Sequence, residues 1–133
     1  MPQSDAITEE KPARKKETTY TPEQIAEKLK ALPGWYYEDG WIRRYYKTDG
    51  WPTTLMLVNA IGYAAEAAYH HPDLNVSWAK VWVKLQTHSA GGITDKDFDL
   101  ARRIEEVALW RPQAGGALTG TPNKFVRGGD PAA

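Results

Sequence analysis

Between Lys80 and Thr87 the chain alternates with a period of two: Val81, Val83 and Leu85 share one side, and Trp82, Lys84 and Gln86 share the other. Successive strand residues point to opposite faces, so the pattern predicts a strand with one apolar and one mixed face. Such a strand needs partners at its edges and cover over its apolar side. Candidate partners stand nearby. Asn75 to Trp78 reads as a shorter strand, and Trp35-Tyr36-Tyr37 and Trp41-Ile42-Arg43-Arg44-Tyr45-Tyr46 flank Asp39-Gly40, a strong signal for a tight hairpin.

The cover comes from segments with helical spacing. Thr21-Pro22-Glu23-Gln24 joins a capping threonine, a proline suited to the first helical position and the glutamine of a capping box. Ile25, Leu29 and Leu32 follow, and Pro33-Gly34 ends the helix. After a turn at Asp49-Gly50, a second helix is expected from Thr53 or Thr54 to about Tyr69. Leu57, Ile61, Ala64, Ala65 and Ala68 lie on one side of it, and Met56, Ala60, Tyr63 and Ala67 on another. Two apolar stripes predict burial on more than one side, hence a subunit contact, and Gly62 in mid-helix predicts close packing. Thr94 caps a third helix with Asp95 and Asp97 in its first turn, where the helix dipole favours them, and with Phe98, Ala101 and Ile104 as its core stripe. The order predicts an α+β fold, an antiparallel four-stranded sheet with three helices packed on one face.

Residues 20–110 hold everything that can build this core. Residues 1–19, with the mixed run Glu9-Glu10-Lys11-Pro12-Ala13-Arg14-Lys15-Lys16-Glu17, read as a disordered charged arm, and residues 111–133 as a flexible tail interrupted only by Phe125-Val126-Arg127. Lysine plus arginine total 17 and aspartate plus glutamate total 17, so net charge gives no reason to expect a nucleic-acid or membrane partner. The absence of cysteine excludes disulfides and thiolate chemistry. Nothing resembles a signal peptide or a membrane span, and a cytoplasmic protein is expected.

The chain has three histidines, His70, His71 and His88. The first two close the second helix before Pro72; the third closes the alternating strand. A helix end and a strand end that meet at one rim would gather groups that titrate near neutrality, suited to acid–base work. Each taken singly is better read as a helix-terminal or strand-end histidine that only complements local dipoles. A metal site is disfavoured because His70 and His71 are adjacent and point differently on a helix.

Glu66, His70-His71-Pro72, Trp78, His88 and Asp97, at these spacings, resemble the signature of the pterin-4a-carbinolamine dehydratases. Asn75-Val76, Thr87-His88, Gly92-Ile93-Thr94 and Asp97-Phe98-Asp99-Leu100-Ala101 also match the family's pattern. The resemblance implies dehydration of a 4a-hydroxytetrahydropterin to the quinonoid dihydropterin without a cofactor. It makes His70, His71, His88 and Asp97 the catalytic group, with Glu66, Pro72, Asp73, Trp78 and Thr87 around the substrate. Which histidine is acid and which is base stays open. Leu74 departs from the pattern, standing where the family usually has an aromatic.

A narrower resemblance points elsewhere. The run Tyr37-Glu38-Asp39-Gly40-Trp41-Ile42-Arg43-Arg44, with His71-Pro72-Asp73-Leu74 and Gly92-Ile93-Thr94-Asp95-Lys96-Asp97-Phe98, is similar to a dehydratase-like subgroup associated with α-carboxysomes, regarded as RuBisCO assembly factors. That implies a non-catalytic chaperone with the RuBisCO large subunit as partner and a carboxysome association. Either way the family implies a homodimer or higher homo-oligomer, joined through a sheet edge. Trp82, facing away from the helices, is expected to be covered by another copy or by a client.

Overall fold

The computed structural model describes residues 17–130 of the chain. Order is set locally before it is set globally. In α1 (Pro22–Leu29) the Thr21 hydroxyl accepts from the Gln24 amide and the Gln24 side chain accepts from the Thr21 amide, the capping box the sequence predicts. β1 (Tyr36–Glu38) and β2 (Trp41–Lys47) follow, joined by Asp39 and Gly40 at φ 50° and 86°, as a two-residue turn with both centres left-handed requires. Then come α2 (Trp51–Ala68), β3 (Asp73–Ser77), β4 (Lys80–Leu85), a 3-10 turn (His88–Ala90), α3 (Asp95–Ala108) and β5 (Arg127–Gly128). No helix among the described residues is long and apolar enough to cross a membrane.

The strands form one antiparallel sheet in the order β1-β2-β4-β3, with β5 added against β2. Register sets Ile42 opposite Leu85, Arg44 opposite Val83 and Tyr46 opposite Val81, and sets Leu74 and Val76 opposite Val83 and Val81. This is the helix-covered face, where Val81, Val83 and Leu85 meet Ile25, Leu57, Ile61, Phe98, Ala101 and Ile104. Arg44 is the polar exception there. Its guanidinium makes two bonds to Glu105, and Glu105 also accepts from the Tyr46 hydroxyl and the Trp35 indole, so the buried charge is paired and hydrogen-bonded.

Several expectations change. The second helix starts earlier, at Trp51, and Ala68 is exposed and not part of the buried stripe. A Cβ at Gly62 would meet nothing within 4 Å, so the close packing expected there is absent within the chain. Met56 and Tyr63 remain 55% and 80% exposed. Trp82 does face away from the helices, but it stacks on Tyr45 with ring centres 5.0 Å apart, so the chain itself supplies one partner.

Both ends of the domain are corrected. Residues 1–16 of the expected arm lie outside the described residues, but Glu17 is anchored, accepting from Ser89 and pairing with Lys96, and the Tyr20 amide donates to the Ile93 carbonyl. At the other end the supposed tail returns to the sheet. β1 pairs with β2 only as far as Arg43, which leaves Tyr46 and Lys47 with an open edge; β5 fills it, Gly128 opposite Tyr46 and Arg127 opposite Lys47. Val126 is 3% exposed, inside the core cluster, and the Phe125 and Gly129 amides donate to Asp49 and to the Tyr45 carbonyl.

Candidate active site

Asp97 is the centre of the polar cluster. It stands at the third position of α3, so the chain that caps the helix turns its carboxylate back toward the preceding loop. The carboxylate is wholly buried. Oδ2 accepts from the Thr94 amide at 2.9 Å and from the Thr87 hydroxyl at 2.7 Å, and Oδ1 lies 2.7 Å from His70 Nε2. Thr87 spends its single proton on Asp97, so in the 2.8 Å contact between Thr87 and Thr94 the Thr94 hydroxyl donates. A carboxylate accepts only, so His70 Nε2 carries the proton in this contact. The arrangement orients one imidazole and fixes its tautomer, as a buried acid behind a histidine does in acid–base sites.

The other histidines sit on the surface of the same end of the fold. His88 opens the 3-10 turn directly after Thr87, exposed, with its ring edge-on to Trp41 at 5.5 Å. His71 follows a left-handed Tyr69 that ends α2, and its Nε2 lies 2.8 Å from Glu66 Oε1, both side chains more than half exposed. Thr87 and Asp97 thus connect the two segments that carry His88 and His70, while His71 is turned toward Glu66. Concave surface is divided. His70 lines a hollow of about 750 Å³ between α2 and α3, and Pro72 and Asp73 line another of about 640 Å³ on the uncovered sheet face; neither is lined by His71 or His88. No group of three or more histidine, aspartate or glutamate side chains among the described residues is arranged to hold a metal ion.

Trp78 is not brought to this cluster. It lies in the β3–β4 turn, at the opposite end of these strands from the histidines, 67% exposed. Its carbonyl accepts from Thr54, and its ring lies where a Cβ on Gly50 would approach to 3.0 Å, so it ties the turn to the start of α2. Two neighbours of the cluster were not foreseen. Thr94 was visible as a cap, and its spacing to Asp97 is the signal that links the cap to the acid. Trp41 had no such signal, because its position beside His88 depends on the β2–β4 register.

Comparison with known proteins decides the family. Residues 18–107 match the family described as Pterin 4 alpha carbinolamine dehydratase. The chain belongs to that family. Relatives provisionally named pterin-4-alpha-carbinolamine dehydratases include one from Aquifex aeolicus, 48% identical over 85 residues, covering 64% of this chain and 86% of the relative. Another, from Nocardia farcinica, is 45% identical over 86 residues, covering 65% of this chain and 90% of the relative. Among solved structures, the transcriptional coactivator/pterin dehydratase from Brucella melitensis is similar with a TM-score of 0.65 and 31% identity, covering 68% of this chain and 99% of that one. The dehydratase family match contains all three histidines, Asp97, Thr87 and Thr94, and stops before β5.

Proposed function

We propose that the chain dehydrates a 4a-hydroxytetrahydropterin to the quinonoid dihydropterin at the cluster around Asp97. The observation that supports it is the buried carboxylate that holds the His70 ring with Nε2 protonated. The reaction breaks the bond from C4a to its hydroxyl, which leaves as water once a donor supplies a proton, while a base takes a proton from the ring nitrogen. Histidines can serve both roles at neutral pH. His70 is held by Asp97 and cannot rotate away from its task; His88 and His71 stand exposed, where a substrate reaches them. Glu66 orients His71, Thr87 and Thr94 orient Asp97, and Pro72 and Asp73 shape the entry to β3. Trp78 has no place in this assignment.

The test is decay of the 4a-carbinolamine generated by an aromatic amino acid hydroxylase. Wild-type protein accelerates it, and His88→Ala and His71→Ala each lose about 10²–10⁴-fold, the usual scale of acid–base assistance. A folded wild type that leaves the spontaneous rate unchanged removes the reading. The second reading, a RuBisCO assembly factor associated with the carboxysome, is supported by the hairpin run around Trp41. It predicts the opposite pair of results: no effect on the carbinolamine, and a higher yield of assembled RuBisCO on co-expression.

A further inference from the structure

The uncovered face of the sheet gathers Arg43, Lys47, Lys80, Lys84 and Arg127, with two carboxylates among them, Asp73 opposite Lys84 and Glu38 opposite Trp41. Arg43, Tyr45 and Lys47 alternate with the helix-facing residues of β2, and the register brings each against a neighbour of the same kind: Arg43 against Lys84, Tyr45 against Trp82, Lys47 against Lys80 and, on its other side, Arg127. Like charges directly opposite on adjacent strands destabilise a sheet, and here they recur in two rows. Arg43 lies 3.8 Å from Glu38 and Arg127 lies 3.5 Å from Asp49, but among the described residues Lys47, Lys80 and Lys84 pair with no carboxylate. The rows are four residues apart along the strand, about 13 Å. Tyr36, Arg43 and Trp82 form the shared wall of two hollows on this face, one of about 640 Å³ that Asp73 also lines and one of about 850 Å³ that Glu38 and Asp130 also line.

We infer that this face docks an acidic protein segment lying across the strands, its carboxylates meeting the rows at Arg43/Lys84 and Lys47/Lys80 with side chains over Trp82 between them. The charges select the partner. A second copy laid face to face would set these cations against the same cations. A single-stranded nucleic acid would want flat aromatic faces for its bases, whereas Tyr45 and Trp82 lie nearly parallel, 12° apart, with a face of each occupied by the other. An acidic peptide needs only the cations and a ridge to rest on. The repulsion left in the free protein is relieved on binding, the pattern expected of a surface kept for a partner and not for stability.

Anisotropy titrations of the full chain test this with three probes: a short fluorescein-labelled peptide of alternating glutamate and serine, the same peptide with glutamine for glutamate, and a short labelled oligothymidylate. The acidic peptide binds, weakens steeply with added salt, and exceeds the glutamine peptide by about tenfold or more. Lys80→Glu and Lys84→Glu each weaken it about tenfold, and Arg102→Glu on α3 leaves it within about twofold. Lys80→Glu also converts the Lys47–Lys80 pair to opposite charges, so its Tm rises by roughly 1–5 °C while binding falls, which separates lost docking from lost folding. No binding of the acidic peptide, unchanged affinity in both variants, or tighter binding of the oligothymidylate would overturn the inference.

Discussion

At the scale of single residues, a buried carboxylate and a partly buried one carry opposite kinds of consequence. Asp97 serves the site. Thr87→Val removes its hydroxyl donor and is expected to cost about 1–3 kcal/mol of stability in denaturant titration, the usual cost of an unmet buried partner. Glu105 serves the fold. Burial alone would raise its carboxyl pKa, but the bonds from Arg44, Tyr46 and Trp35 outweigh that and hold it below the ordinary glutamate value. A depressed folded-state pKa gives stability that is present above the unfolded value of about 4.3 and is lost as pH falls through the folded value beneath it. Melting temperature should therefore drop for wild type as pH is lowered through and below that range, while Glu105→Gln starts lower and changes less; parallel curves for the two would rule Glu105 out as the source. Asp97 was legible from the sequence because its spacing from Thr94 is a capping pattern and its spacing from His88 belongs to the family signature. Trp41 and the Arg44–Glu105 pair were not, since both depend on which strand residues stand opposite one another. Trp78 lies away from the histidines because spacing along the chain does not say at which end of a hairpin a residue stands.

At the scale of elements, the two helix starts capped by threonine were the most legible features, and the uncapped start at Trp51 was not. Thr21 and Thr94 each carry a side-chain pattern whose hydrogen bonds form within four residues, so no tertiary information is needed. β5 was illegible for the converse reason. The residue before it, Val126, is its one buried anchor, and the strand is otherwise held by the Arg127–Asp49 pair and by backbone bonds to an edge that is open because β1 is shorter than β2. Val126→Ala is expected to cost about 1–3 kcal/mol, in line with other large-to-small core changes, and to raise amide exchange at Gly129 without touching the histidine cluster. Unchanged exchange would mean that β5 is held by Asp49 and the backbone alone. Gly62→Ala is the stabilising counterpart: with nothing within 4 Å of the new Cβ it should gain about 1 kcal/mol of helix propensity. A loss of stability there would show that another chain packs on α2.

At the scale of the whole molecule, the chain is a family domain with one addition. The relatives from Aquifex and Nocardia are covered over 86% and 90% of their own lengths, and the strand that returns to β2 lies outside residues 18–107, which match the family. With β5 on the β2 side, the described strand with an unpaired outer edge at the far end of the sheet is β3. Pairing of β3 with β3 of a second copy would close a two-fold dimer, and sedimentation at micromolar concentration tests for one; a monomer would exclude that edge as an interface. The central claim is that a buried aspartate holding His70 makes this fold a dehydratase. Asp97→Asn tests it most directly, by stopped-flow decay of the 4a-carbinolamine beside wild type at neutral pH. The amide can still meet Thr87 or His70 but no longer accepts from all three donors with full charge. The account predicts a variant that keeps its helical signal and loses about 10²–10⁴-fold in rate, and a folded Asp97→Asn as fast as wild type would contradict it.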